Sequence, residues 1–164
     1  LTIYYKGVDE KAWKVLDKNT QKKGAYLWDT LRLPDGKYQV KLTASDDPDN
    51  PQETAFIAEN MIQPIVIDNS RPNIKSLGAA AGTEGKYVIS GAARDDYSNV
   101  VKVQYTIDGQ EWTSAYPVDG VFDSLEEPFQ ITTRPLVPGN YTLIVNAFDS
   151  EGNIGIEKVL IEVK

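Results

Sequence analysis

The side chains with the most chemistry to offer are carboxylates. Asp46-Asp47-Pro48-Asp49-Asn50 and Asp68-Asn69 gather acidic and amide oxygens in two short stretches. A hard cation such as calcium takes about six to eight oxygen ligands, which Asp, Asn and backbone carbonyls can supply. Calcium is therefore the ion these stretches would bind, through Asp46, Asp47, Asp49 and Asp68. The spacing fits no EF-hand loop, and a solvated loop broken by Pro48 accounts for the same composition. The expectation is no required cofactor and no committed metal site, with calcium as the ion to watch.

A second set of carboxylates lies at Asp119, Asp123, Glu126 and Glu127. Glycoside hydrolysis needs two carboxyls roughly 5 to 9.5 Å apart across a cleft. Here Pro117, Asp119-Gly120, Ser124 and Pro128 surround the acids, which marks turns and surface charge. Ala80-Ala81-Gly82-Thr83-Glu84-Gly85-Lys86-Tyr87 grazes a phosphate-binding loop. Ala80 stands where the first Gly is needed, and Tyr87 stands where Ser or Thr would hold magnesium. The stretch reads as a flexible turn between strands. The chain has no His and no Cys, which removes Ser-His-Asp and Cys-His triads, thiolate chemistry, disulfides and His- or Cys-bound zinc. No catalytic residue is assigned, and the expectation is that the chain is not an enzyme.

Aromatic side chains could stack on a sugar. Of Tyr26, Trp28, Tyr97, Tyr116, Trp13 and Trp112, the last two stand at matching places in an internal repeat and read as structural posts. Only Trp28, Tyr97 and Tyr116 remain as exposed contacts, and three scattered aromatics are ordinary for a surface. Tyr38 and Tyr141 read as buried corner residues. Asn140-Tyr141-Thr142 is formally a glycosylation sequon, and its place at such a corner makes it a coincidence.

The elements that position these residues follow a period of two. Tyr38, Val40, Leu42 and Ala44 alternate with Gln39, Lys41, Thr43 and Ser45; Val101, Val103, Tyr105 and Ile107 alternate with Lys102, Gln104, Thr106 and Asp108. Tyr141, Leu143, Val145 and Ala147 form a third such run. Alternation places one face on a core and the other toward water, as in antiparallel sheets. Asp35-Gly36, Asp108-Gly109, Asp119-Gly120, Pro138-Gly139 and Gly152-Asn153 supply the turns. Glu10 to Asp17 is a short helical candidate that reads equally as strand, so the fold class is all-β. The net charge of −7 argues against a nucleic-acid backbone as partner. No apolar run approaches the roughly 20 residues that cross a bilayer as a helix.

The landmarks recur about 100 residues apart, the size of one sandwich domain. Tyr5, Trp13, Leu33-Pro34-Asp35-Gly36-Lys37-Tyr38 and Ala44-Ser45-Asp46 are echoed by Tyr105, Trp112, Leu136-Val137-Pro138-Gly139-Asn140-Tyr141 and Ala147-Phe148-Asp149. Asp68-Asn69-Ser70-Arg71-Pro72 separates the copies, and Pro72, which cannot donate to a ladder, suits a junction. The expected domains are 1–69 and 70–164. Strands expected around Ile74 to Leu77 and Tyr87 to Ala93 have no counterpart in the first copy, so the first domain is expected to lack its two opening strands.

The Leu136–Ala147 run resembles the sixth strand of fibronectin type III and related Ig-like domains, in which Leu-x-Pro-Gly-x-Tyr opens the strand and the Tyr forms a tyrosine corner. Leu33–Tyr38 matches with Asp between Pro and Gly. Asp149-Ser150-Glu151-Gly152-Asn153 is similar to the Asp-x-x-Gly-Asn hairpin of bacterial Ig-like repeats. The Trp of the second fibronectin strand is absent, and Trp13 and Trp112 follow the third strand instead, which favours the broader Ig-like group. Tyr26-Leu27-Trp28-Asp29-Thr30, Leu33–Gly36, Ala44–Asp46 and Ile67–Pro72 together resemble the paired sandwiches near the C-termini of large exported, propeller-containing bacterial proteins. The Tyr, Asp-Gly-x-x-Trp and Pro-Gly-x-Tyr pattern is similar also to the small sandwich after the sensor propeller of bacterial two-component receptors. Cadherin-like repeats place calcium ligands where two sandwiches meet, though no cadherin linker spacing occurs here. The resemblance implies tandem Ig-like or fibronectin type III-like sandwiches, an extracellular or periplasmic setting, and a job as spacer or scaffold. The alternative is a carbohydrate- or protein-binding module, possibly calcium-stiffened. Expected partners are upstream domains of the same parent or a second chain covering the first domain, with carbohydrate possible and neither nucleic acid nor membrane insertion.

Overall fold

The computed structural model describes residues 1–18, 25–47, 50 and 54–164. Every regular element among them is a strand: β1 (Thr2–Gly7), β2 (Lys14–Lys18), β3 (Gly36–Ser45), β4 (Ile57–Ile67), β5 (Asn73–Ala81), β6 (Tyr87–Arg94), β7 (Val100–Ile107), β8 (Thr113–Ser114), β9 (Tyr116–Pro117), β10 (Glu126–Thr132), β11 (Gly139–Asp149) and β12 (Ile154–Val163). They form three antiparallel sheets in two compact units, Leu1–Asp68 and Asn69–Lys164. No helix among the described residues is long and apolar enough to cross a membrane.

Unit 1 is one sheet in the order β2-β1-β3-β4. Its register sets Ile3 opposite Leu42 and Tyr5 opposite Val40, and on the other side Val40 opposite Ile62 and Tyr38 opposite Ile65. Ile62 and Ile65 are three residues apart, and straight alternation would send them to opposite faces. The register shifts between Tyr38 and Val40, so Gln63-Pro64 bulges, Pro64 is excused from the ladder, and both isoleucines join one apolar face. The other face is polar. There Lys41 pairs with Glu59 at 2.9 Å, and its ammonium lies 5.3 Å from the Trp13 ring centre and 5.3 Å from that of Tyr4.

Unit 2 closes a sandwich. One sheet runs β5-β6-β10-β9 and the other β12-β11-β7-β8. Ile74, Ile89, Ala93, Phe129 and Ile131 from the first meet Val100, Val103, Leu143, Val145, Ala147 and Ile161 from the second in one core. Two glycines admit close neighbours. A Cβ on Gly91 would stand 2.8 Å from the Phe129 ring, and a Cβ on Gly155 would collide with the Pro72 backbone.

Bulges again set which residues face in. The shift between Phe148 and Asp149 leaves Val101 unpaired, so Val100 and Val103 both enter the core while Val101 is 45% exposed. The inward run of β7 therefore starts at Val100, not at Val101 as alternation suggested. In β5, Ser76 at φ 55° takes the bulge, and Ile74 and Leu77 share the inner face.

The sheets β2-β1-β3-β4 and β8-β7-β11-β12 have the same strand order. Each contains the same tyrosine bond: the Tyr38 hydroxyl donates to the Pro34 carbonyl at 2.7 Å, and the Tyr141 hydroxyl donates to the Val137 carbonyl at 3.0 Å. Tyr38 is buried, whereas Tyr141 is half-buried. Both strands open on a glycine at positive φ, Gly36 at 147° and Gly139 at 158°. One landmark is displaced. Val40 and Leu143 both lie two residues after the corner tyrosine; Tyr5 pairs with Val40, but Ile107, not Tyr105, pairs with Leu143. The Tyr5/Tyr105 match lies two residues out of the spatial register, which preserves the face because the strand period is two.

Candidate functional site

The apolar face of unit 1 carries a groove of about 420 Å³, lined by Leu1, Ile3, Trp28, Leu42, Ile62 and neighbours. Its floor comes from β1, β3 and β4. One end is closed by the segment before β3, where Trp28 packs on Tyr5 with ring centres 5.0 Å apart and edge-on to Tyr38 at 6.3 Å. Such tilted aromatic contacts stabilise by about 0.5–1.5 kcal/mol beyond area burial. Trp28 therefore belongs to an internal cluster and is half-buried; it is not the exposed contact that its sequence setting suggested. Tyr26, at the groove, is 42% exposed, and Leu27 beside it is 95% exposed.

Charge sits beside the aromatic cluster. Lys14, opposite Tyr5 in the ladder, pairs with Glu10 at 2.6 Å, and its ammonium lies 5.7 Å from the Tyr5 ring centre. The hydrogen bond from Lys14, with that from the Gly7 amide, holds the Glu10 carboxyl below its ordinary value. The same bond holds the Lys14 ammonium above its own. Burial, and next the Glu10 charge, raise the Tyr38 phenol. The floor itself offers carbon, so the groove fits apolar side chains.

The carboxylates singled out by sequence are mostly engaged with their own backbone. Asp46 accepts from the Phe56 amide at 2.7 Å and from the Asn50 side chain at 2.8 Å, closing the β3–β4 loop. The Asp47 amide donates to Ser45 Oγ at 3.1 Å, Asp49 lies outside the described residues, and Asp68 is buried at the end of unit 1. Glu126 is exposed, but Glu127 is not the surface charge expected of it. The alternation of β10 puts it on the inner face with Phe129 and Ile131, at 1% exposure. Its Oε1 accepts from the Asp123 amide at 2.8 Å and the Ser124 amide at 2.7 Å. A carboxyl so buried is tolerated because it satisfies two otherwise orphaned backbone donors.

Two acids of unit 2 escaped sequence reasoning. Asp95 and Asp149 are buried at 3% each, with carboxylate oxygens within 4.8 Å. Asp95 accepts from the Tyr97 and Ser98 amides, and Asp149 from the Glu151 and Asn153 amides. Each pattern is an Asx turn, and the signal was the Asp that ends a strand just before a turn. They are the unit 2 acids near enough to share one cation.

The remaining candidates are placed as follows. Trp13 is half-buried beneath Lys6 and Lys41, whereas Trp112 is 46% exposed. Tyr97 is 44% and Tyr116 76% exposed. Asn140 is exposed at the start of β11, and Pro72 is buried against Gly155. Thr83–Lys86 is a tight turn joining β5 to β6, with Glu84 at φ 56° and Gly85 at 71°. It joins strand to strand, so no helix N-terminus faces a phosphate there.

Sheet order and groove define an all-β protein whose second unit is a sandwich. No protein-family model matches the chain. Over 127 residues, 77% of the chain, it is 24% identical to the uncharacterized protein YvnB of Bacillus subtilis (strain 168). The matched stretch is 8% of that protein's length, so the chain spans a small fraction of its relative.

Proposed function

We propose that the chain is a tandem of Ig-like, fibronectin type III-like modules, acting as a non-catalytic spacer or interaction element within a large exported bacterial protein. The observation that carries this reading is the doubled sheet order with a tyrosine bonded four residues back in each copy. Two copies of one stiff sheet suit a positioning role, and the match to 8% of a long bacterial protein supports membership in a multi-part chain. Acids committed to backbone donors also suit structure better than turnover. Between the two binding alternatives, the groove favours protein over carbohydrate, because Trp28 turns its ring toward Tyr5 and Tyr38.

The test is a screen of the purified chain against glycan panels and chromogenic hydrolase substrates. The expected result is neither saturable sugar binding nor turnover. Sugar binding lost in Tyr26→Ala or Tyr116→Ala, or turnover lost in Asp123→Asn, overturns the reading.

A further inference from the structure

We propose that the apolar face of unit 1 is the seat of a two-stranded β-hairpin of the β5–β6 type, contributed by the polypeptide N-terminal to Leu1. This rests on reading unit 1 as a sandwich module of the same kind as unit 2.

The two units supply the reasoning. Sheet β8-β7-β11-β12 is covered by the sheet containing β5, β6 and β10, and Leu143, Val145 and Ala147 are fully buried. Counting from the corner tyrosine, their counterparts are Val40, Leu42 and Ala44. Val40 is 7% exposed, Leu42 is half-buried and Ala44 is exposed. Exposure rises with distance from Trp28, which covers only the corner end. Ile62, paired with Val40, is 44% exposed, and Ile57 farther along β4 is 69% exposed.

The missing layer is identifiable strand by strand. In unit 2, β10 lies between β8 and β11; the corresponding described segment of unit 1, residues 25–35, forms no strand and supplies Trp28. What remains is a β5–β6 hairpin. In unit 2 that hairpin passes into β7 through the short connection from Asp95 to Asn99, and β1 is the counterpart of β7. A hairpin directly before β1 reaches the face by the same path, and Leu1 already stands at the groove. Its inward positions would alternate apolar residues, as Ile89, Gly91 and Ala93 do on β6.

The chain contains no cysteine, so single thiols report cleanly on this face. Ile62→Cys and Leu42→Cys would be labelled with a maleimide in the present chain and in the chain extended by about 30 residues of its own reading frame, the length of one hairpin with its connections. Val66→Cys, next to Ile65 and on the opposite face, is the control; Ile62 is already part-exposed, so its variant folds if Leu42→Cys does not. The expected result is labelling at both face positions slowed about tenfold or more by the extension, with Val66→Cys unchanged. Equal rates with and without the extension overturn the proposal. So does slow labelling of the present chain that speeds up on dilution, which would make a second copy the occupant. Neither outcome involves sugar binding or turnover, so failure here is distinct from failure of the functional reading.

Discussion

Units 1 and 2 build the same four-stranded sheet and bury it to different depths. In unit 2 the inner residues of β11 are sealed by a second sheet, and Phe129 fills the space that Gly91 leaves open. In unit 1 the corresponding strand is sealed only near Tyr38, by the Trp28–Tyr5–Tyr38 cluster, while Lys41 and Trp13 stiffen the opposite face. Strand order and corner are local consequences of turns, glycines and alternation. Depth of burial is a property of the second layer. A sheet can therefore be specified by its own residues and still depend on another segment for most of its hydrophobic stabilisation, since burying one Val, Leu or Ile is worth roughly 1.5–3 kcal/mol.

The largest effect that sharpens this contrast is loss of Phe129. Phe129→Ala is expected to cost unit 2 about 3–5 kcal/mol. Trp28→Ala, which removes a larger but half-exposed side chain, is expected to cost unit 1 about 1–3 kcal/mol. Denaturant melts followed by residue-resolved NMR separate the units; equal losses would break the contrast.

Next comes the buried acid. Glu127→Ala strands the Asp123 and Ser124 amides and is expected to destabilise unit 2 by about 2–4 kcal/mol, with Glu126→Ala near zero. Gly91→Ala presses on the Phe129 ring and is expected to cost about 1–3 kcal/mol. Thermal melts of the three variants give this ranking, and an unchanged melt for Glu127→Ala would return that residue to the surface.

These effects also show what the sequence could disclose. All-β character, the turn glycines and both corner tyrosines were legible, because alternation and turn chemistry are local. Bulges were not. Whether Val100 or Val101 faces inward depends on a register shift against Phe148-Asp149, a pairing remote in sequence. Glu127 was misjudged for a related reason: Pro128 suggested a turn, yet the strand tolerates it between inward-facing Glu127 and Phe129. Trp28 lay in a stretch with no period at all, so only the fold brings it onto Tyr5.

A smaller effect is expected at the corners. Tyr38→Phe and Tyr141→Phe each remove one hydroxyl-to-carbonyl bond, a loss of about 0.5–1.5 kcal/mol. The buried Tyr38 is expected to lose more than the half-buried Tyr141, and paired melts decide it.

The smallest effect is the pH response of the Glu10–Lys14 pair. Glu10 is held below its ordinary 4.5, so its contribution is complete above pH 4.5 and disappears as pH falls through the lowered value. Lys14 is held above 10.5, so its contribution is complete below that pH and is lost as pH rises through the raised value. An NMR titration following the Gly7 amide, which donates to Glu10, should show its acid transition below 4.5. A transition at or above that value would mean that the Lys14 and Gly7 hydrogen bonds do not hold the carboxylate in solution.

The central claim, one sheet design at two depths of burial, is tested most directly by amide hydrogen exchange of the present chain. The amides of Val40 and Leu42 in β3 are compared with those of Leu143 and Val145 in β11. The account predicts that the β11 amides exchange only through unfolding of unit 2, and that the β3 amides exchange faster by about a hundredfold or more. Equal protection of the two strands would contradict it.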